Sequence, residues 1–310
     1  MIKKLFKLSA LFLIISILQP LKTNAENTMA AFLKVGAGAK ASAMGEVSVL
    51  SDAVAIYWNP SGLAAIEKTA VNITYTSLYE EVNHNFVAVS RKALSGTMGL
   101  AVTYTDYGDL EGRDPNALIT GNFSAGDMAV SLAYAKKIGN LSFGAALKYI
   151  HIKIGDEKGD GFASDAGLNW QTPIKNFSMN LSVLNMGPKF NFSSDKKSLP
   201  LAYNLGLKYT GVKKLDLYAD MRIRPRDKDD EFCLGAEYRA MENFFIRTGY
   251  NSKSAKALKT EDDDGLKALD NLRGLSMGFG IQMKIFDLDY AFTPFGELGN
   301  AQRITVKKKF

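Results

Sequence analysis

KLDLYADMRIR (214–224) places Leu215, Leu217, Ala219, Met221 and Ile223 at odd positions, with Asp216, Tyr218, Asp220 and Arg222 between them. Side chains that alternate with period two stand on opposite faces of an extended strand. One face here is purely apolar, and the other carries two carboxylates and a guanidinium. A dry two-sided core cannot take that second face, but a wet or fully paired interior can. GLSMGFGIQM (274–283) repeats the scheme, with Leu275, Met277, Phe279, Ile281 and Met283 against Ser276, Gly278, Gly280 and Gln282. GTMGLAVTY (96–104) sets Met98, Leu100, Val102 and Tyr104 against Thr97, Gly99, Ala101 and Thr103. Strands with an apolar outside and a small or polar inside are the pattern of a transmembrane β-barrel.

Working outward from these segments, alternation predicts about fourteen strands. They lie near 71–79, 84–92, 96–107, 127–137, 140–153, 160–171, 176–186, 200–210, 214–224, 231–240, 243–251, 273–284, 286–293 and 302–310. Their links alternate in length. Lys92–Gly96, Lys137–Asn140, Thr172–Asn176, Gly211–Lys214, Ala240–Asn243 and Lys284–Phe286 are tight, whereas 108–126, 154–159, 187–199, 225–230, 252–272 and 294–301 are longer and polar. An outer-membrane barrel has short periplasmic turns and longer outer loops, and a soluble sandwich has no reason to keep that parity. The fold expected is an all-β, antiparallel transmembrane barrel of about 14 strands, preceded by a compact plug. Tyr75, Tyr79, Tyr104, Tyr134, Trp170, Tyr209 and Tyr238 fall near strand ends, where interfacial aromatics belong, although strands favour aromatics anyway.

Residues 1–25 read as an export signal: Lys3, Lys4 and Lys7, then an 11-residue apolar run, Leu8–Leu18, then Thr23-Asn24-Ala25 as a cleavage site. The apolar run is too short to span a bilayer as a helix. Removing the leader takes four lysines from 38 basic residues, so 34 basic face 32 acidic residues in the mature chain. That balance gives no support to nucleic-acid binding. Cys233 is alone and His84 and His151 are the only histidines, so neither a disulfide framework nor a His- or Cys-rich metal centre is expected. No feature calls for a cofactor.

Three domains follow: signal 1–25, plug or hatch 26–69, barrel 70–310. Residues 29–66 do not alternate; Gly36, Gly38 and Gly45 lie among alanines, where backbones can approach closely. Asn59 and Pro60 read as N-cap and first residue of a short helical turn that includes Gly62 and runs through Ile66. Asp52 precedes that turn. Inward positions of the late strands carry Asp216, Asp220, Arg222, Glu237, Arg239, Arg247, Asp287 and Asp289, which form either a paired lumenal network or a selectivity surface against the hatch. At the end of the chain, Ile304, Val306 and Phe310 share one face and read as the signal for the barrel-assembly machinery; Lys308 interrupts that face and is expected to snorkel to the interface.

Two motifs are discounted. Gly274-Leu275-Ser276-Met277-Gly278 fits G-x-S-x-G but sits inside an alternating strand without the strand–turn–helix of a nucleophile elbow. The acidic runs Asp156-Glu157 and Glu261–Asp264 lack the spacing of a calcium loop. The chain is expected not to be an enzyme.

VGAGAKASAMGEVSVLSDAVAIYWNPSGLA (35–64) resembles the amino-terminal hatch of the FadL-type outer-membrane transporters and, more closely, the PorV/PorQ family. The residues that carry it are Ala43-Met44-Gly45, Asp52-Ala53 and Trp58-Asn59-Pro60 with Gly62-Leu63. Arg247-Thr248-Gly249-Tyr250-Asn251 and DLDYAFTPFGELGNAQRITVKKKF (287–310) also resemble segments of that family, with Gln302 where His is common. The resemblance implies a fourteen-stranded, hatch-bearing barrel in the outer membrane. FadL-type members admit hydrophobic small molecules, which here predicts an apolar pocket between hatch and wall. PorV-type members serve protein secretion and surface attachment, which instead predicts secretion-machinery partners. Outer-membrane lipid is expected around either.

Overall fold

The structure is a computed structural model that describes residues 28–78, 82–193, 195–256, 274–294 and 300–310. The expected export signal, Tyr79, the acidic run 261–264 and most of link 252–272 lie outside the described residues.

Among the described residues, sixteen strands follow the hatch. The first seven are β1 (Ala70–Ser77), β2 (Asn83–Ala93), β3 (Gly96–Arg113), β4 (Ile119–Ile138), β5 (Leu141–Ile154), β6 (Glu157–Gln171) and β7 (Phe177–Met186). A small hairpin, β8 (Phe190–Phe192) and β9 (Asp195–Lys197), comes next. Then follow β10 (Ala202–Val212), β11 (Leu215–Ile223), β12 (Glu231–Met241), β13 (Phe244–Asn251), β14 (Leu275–Gln282), β15 (Asp287–Pro294) and β16 (Asn300–Lys309). Each barrel strand pairs antiparallel with its neighbours, and β7 pairs with β10 across the hairpin. β16 closes on β1 with Ala70 opposite Lys309, and the Phe310 N–H bonds to the Thr69 carbonyl at 2.9 Å. Leaving out the β8–β9 hairpin, fourteen strands form a closed antiparallel barrel. Closure removes the unpaired edges that a membrane would not tolerate.

The pleat sorts the faces as the sequence pattern requires. Ile73 is 51% exposed, whereas Asn72 and Thr74 on either side of it are 1% and 2% exposed. Leu132, Met221, Met277 and Ile304 likewise stand outside, and Asp220, Arg222, Ser276 and Arg303 inside. No described helix is long and apolar enough to cross a membrane.

Two expectations about links are corrected. Segment 108–126 is not a loop. β3 and β4 continue to Arg113 and Ile119, leaving only 114–118 between them. β2 pairs no further than Asp106 and β5 no further than Ala125, so 107–124 is a ribbon paired only with itself. The register slips between Asp106 and Asp109, where Gly108 takes φ 72°, a bulge that re-aims the strand. Link 154–159 is a two-residue turn, because β6 starts at Glu157. The parity survives these changes: turns 94–95, 139–140, 172–176, 213–214, 242–243 and 283–286 share one end with the barrel's first and last residues, called the turn end below. The opposite end is the loop end.

Inside the barrel, residues 28–69 form helical turns at Ala31–Lys34, Ala39–Ala43, Ala55–Trp58 and Pro60–Ala65. Gly36, Gly38 and Gly45 take positive φ at the breaks between the first two turns and after the second. Ile56, Trp58 and Leu63 pack with inward Phe86, Ala88, Ala101, Ala133 and Ala146 of the wall. Fully burying one such large apolar side chain contributes about 1.5–3 kcal/mol. The wall supplies alanines because the hatch supplies the bulk.

Candidate functional site

The contact between hatch and wall gathers most of the inward charges. Arg222 pairs with Glu231 at 2.6 Å, stacks its guanidinium 4.6 Å from the centre of the Trp58 ring, and donates to the Glu46 carbonyl at 3.0 Å. Arg224 also pairs with Glu231. Arg303 reaches Glu46 at 3.3 Å and donates to the Val35 carbonyl. On the turn-end side Arg247 bridges Glu237 (2.6 Å) and Asp289 (2.7 Å), Lys40 of the hatch meets Glu237 at 2.8 Å, and Lys307 meets Asp289 at 2.5 Å. Asp220 accepts both the Ser48 N–H and its hydroxyl, at 2.6 and 2.8 Å. In a low-dielectric interior such charges persist only when paired this fully. Burial pushes the Glu46 carboxyl above its ordinary value, against the pull of Arg303, and pushes the Lys40 ammonium down, against Glu237.

The remaining inward candidates lie nearer the rim. Asp216 pairs with Lys208 at 2.9 Å and is half-buried; Asp287 is half-buried; Arg239 is exposed and lies 5.5 Å from the Phe245 ring. Asp52 accepts the Val54 N–H at 3.0 Å and lies 3.8 Å from Lys307. Ile304, Val306 and Phe310 are exposed on the outward face, and Lys308 stands over the Phe310 ring.

Asn59 is the hinge of the hatch–wall contact. Its backbone is extended and its Oδ1 accepts the Ser61 N–H at 3.0 Å, which caps the turn Pro60–Ala65. Its Nδ2 meanwhile donates to the Leu181 carbonyl of β7 at 3.2 Å. A Cβ at Gly62 would meet the Leu50 carbonyl at 2.3 Å. The wall is thinned to match: a Cβ at Gly167 would lie 2.0 Å from Asn59 Oδ1, and one at Gly249 would lie 2.1 Å from the Gly45 nitrogen. Gly36 and Gly38 face hatch neighbours, Glu46 with Trp58 and Val54 respectively. The Ser276 hydroxyl, discounted as a nucleophile, accepts the Gly45 N–H at 3.0 Å.

Sequence reasoning missed Lys40, Glu46, Ser48, Glu231, Arg303 and Lys307 as members of this network. Glu231, Arg303 and Lys307 sit at inward parity, a signal that was available. Glu46 and Ser48 lie in the non-alternating hatch, where no period tells which wall strand a side chain meets. Among the described residues no cluster of three His, Cys, Asp or Glu could hold a metal.

Among the described residues, the cavities that adjoin the hatch at the turn end are polar rather than apolar. Two cavities at the turn end, of about 310 and 470 Å³, are lined by polar groups: Lys40, Asp52, Asn72 and Lys307 in one, Asn169 and Gln171 in the other. An apolar cavity lies on the outward face. It is a groove of about 520 Å³ across β10–β14, lined by Leu207, Leu217, Ala219, Leu234, Ala236 and Tyr250. Its floor includes Gly235 and Gly249, and the hatch residue Met44 presses on the inner side of both.

No protein-family model and no curated protein matches the sequence. Solved structures do. The Pseudomonas putida toluene transporter TodX is similar over 88% of this chain and 96% of its own, at 12% identity and a TM-score of 0.57. A TodX deltaS2S3 mutant monoaromatic hydrocarbon channel matches over 89% and 99%, at 14% identity and 0.55. A Pseudomonas aeruginosa FadL homologue matches over 88% and 98%, at 9% identity and 0.55. The chain therefore shares the fold of FadL-type outer-membrane barrels.

Proposed function

We propose that this chain is a non-enzymatic outer-membrane channel that passes small hydrophobic molecules through a hatch-gated barrel. The observation that carries the reading is the outward groove. Its volume falls within the range of small-molecule pockets, its lining is apolar, and only the backbones of Gly235 and Gly249 separate it from the hatch. An apolar solute would partition from lipid into the groove and enter where the β12–β13 pair parts at Gly235 and Gly249 and Met44 and Gly45 yield behind it. The similar structures support it, being named as toluene or monoaromatic hydrocarbon channels. The test is equilibrium binding of toluene to the detergent-purified barrel, with Ala236→Trp filling the groove from outside. Binding by the parent chain and a loss of about tenfold or more in the variant is expected, since a filled pocket forfeits the area an apolar ligand would bury. No binding, or equal binding by both, would sink the reading.

Three observations favour a second reading, a PorV-like component of protein secretion or surface attachment. The hatch is pinned by ion pairs, its adjoining cavities are polar, and the ribbon 107–124 projects from the loop end as a surface for a partner. Co-purification of stoichiometric envelope proteins, lost on removing the ribbon, would move the function there.

A further inference from the structure

The turn end repeats one device around the whole barrel. Turns of this kind are expected to be polar, yet each carries an exposed large apolar residue beside one or two basic ones. Between β2 and β3, Leu94 is 76% exposed and follows Lys92. At the end of β4, exposed Ile138 follows Lys136 and Lys137; between β6 and β7, exposed Ile174 precedes Lys175. Val212 precedes Lys213 and Lys214, Met241 follows Arg239, and Ile285 follows Lys284. The device recurs a seventh time where Lys308 and Lys309 precede Phe310. Lys92, Lys175, Lys213, Lys214 and Lys284 have no carboxylate partner among the described residues, so their charge is free for another molecule. Exposed acids at the turn end are few, Glu242 beside Met241 and Glu67 before β1, whereas the loop end mixes its exposed charges, as in Asp156-Glu157-Lys158 and Asp195-Lys196.

Register places several of these cations on the lipid-facing surface itself. Arg91 continues the outward column Val87–Val89, Lys136 the column Leu132–Tyr134, and Lys308 the column Ile304–Val306. They stand where the apolar band ends. A long basic side chain in that position lays its stem along hydrocarbon and lifts its charge to the headgroups.

We propose that this ring binds the anionic phospholipid headgroups of the leaflet at the turn end, its apolar tips entering the top of the acyl layer and its lysines meeting the phosphates. Charge complementarity selects the anionic headgroup. The sevenfold distribution selects lipid, which surrounds a barrel, over a protein, which would contact one side. The inference rests on the barrel's insertion in a bilayer and not on what crosses it. Loss of toluene binding would therefore leave it standing.

Native mass spectrometry of the full barrel, equilibrated with equimolar phosphatidylglycerol and phosphatidylethanolamine, tests it. The parent chain should retain the anionic lipid in about fivefold excess, the factor expected for one lysine–headgroup contact. Combined replacement of Lys136, Lys175, Lys213, Lys214 and Lys284 by Gln should lower the ratio clearly below that of the parent, with Arg91, Arg239, Lys308 and Lys309 keeping part of it, while replacement by Arg should keep it whole. Heat-modifiable gel migration shows that each variant is folded. Equal retention by the parent, or an unchanged preference in the Gln variant, would overturn the proposal. A photo-crosslinker at Ile174 in cells gives the second readout: lipid adducts support it, and a single stoichiometric protein adduct overturns it in favour of a docking ring.

Discussion

Arg222 is buried against Glu231, Asn204 and the Trp58 ring, and it reaches the hatch backbone at Glu46. Its removal strands the Glu231 carboxylate with Arg224 and uncovers the indole. Arg222→Met should therefore cost about 1.5–3 kcal/mol, the range for a lost hydrogen bond between charged groups, because Glu231 keeps Arg224. Lys208→Gln breaks the half-exposed pair with Asp216 and should cost under about 1 kcal/mol. Urea unfolding in lipid vesicles compares the two, and equal effects would refute the assigned role of Arg222. A second prediction concerns Gly249. Its inner face touches hatch backbone rather than a flexible side chain, so Gly249→Ala has no soft neighbour to displace. It should push the hatch out, making residues 28–69 protease-sensitive at a cost of about 1–3 kcal/mol while the barrel stays closed. At this scale parity made Asp220, Arg222, Arg247 and Asp289 readable as inward groups. Their hatch partners were not readable, because Glu46 and Ser48 lie in a segment without a period and meet the wall only through the tertiary fold.

At the scale of elements, Asn59 joins two structures at once. Its carboxamide oxygen caps the turn Pro60–Ala65 and its amide nitrogen bonds the wall at Leu181. Asn59→Ala loses both, and about 1–2 kcal/mol of stability should go with them; Asn59→Asp keeps the cap and should recover part of it. The ribbon formed by 107–124 is the opposite case, an element the barrel does not use. Neither β2 nor β5 pairs with it, so replacing 109–123 by a short turn should leave the unfolding free energy within about 0.5 kcal/mol of the parent. A large loss would mean that the ribbon braces the wall. Its strands were hidden in the sequence because Gly108, Asp109, Gly112, Asp114 and Asn116 are turn formers, and two strands paired only with each other need no continuous apolar face. The barrel strands were legible for the converse reason: one face meets an apolar phase along the whole length, which enforces alternation from Ile73 to Val306.

At the scale of the molecule, the barrel is closed, the hatch lies in its lumen and an apolar groove lies outside. The plug is held by charges and by glycine-thinned wall, and the apolar volume sits on the far side of that wall. The outward groove was not legible in the sequence, because alternation says which face a residue takes and nothing about how neighbouring side chains on that face leave a hollow. The measurement that tests the central claim most directly is uptake of toluene by intact cells whose own hydrocarbon channels are deleted and whose outer membrane carries lipopolysaccharide. Cells expressing the parent chain should take it up faster than cells expressing Ala236→Trp at equal surface abundance, and the variant should match cells with no channel. Uptake by the parent no faster than in cells without a channel, or undiminished uptake through the filled groove, would contradict the account.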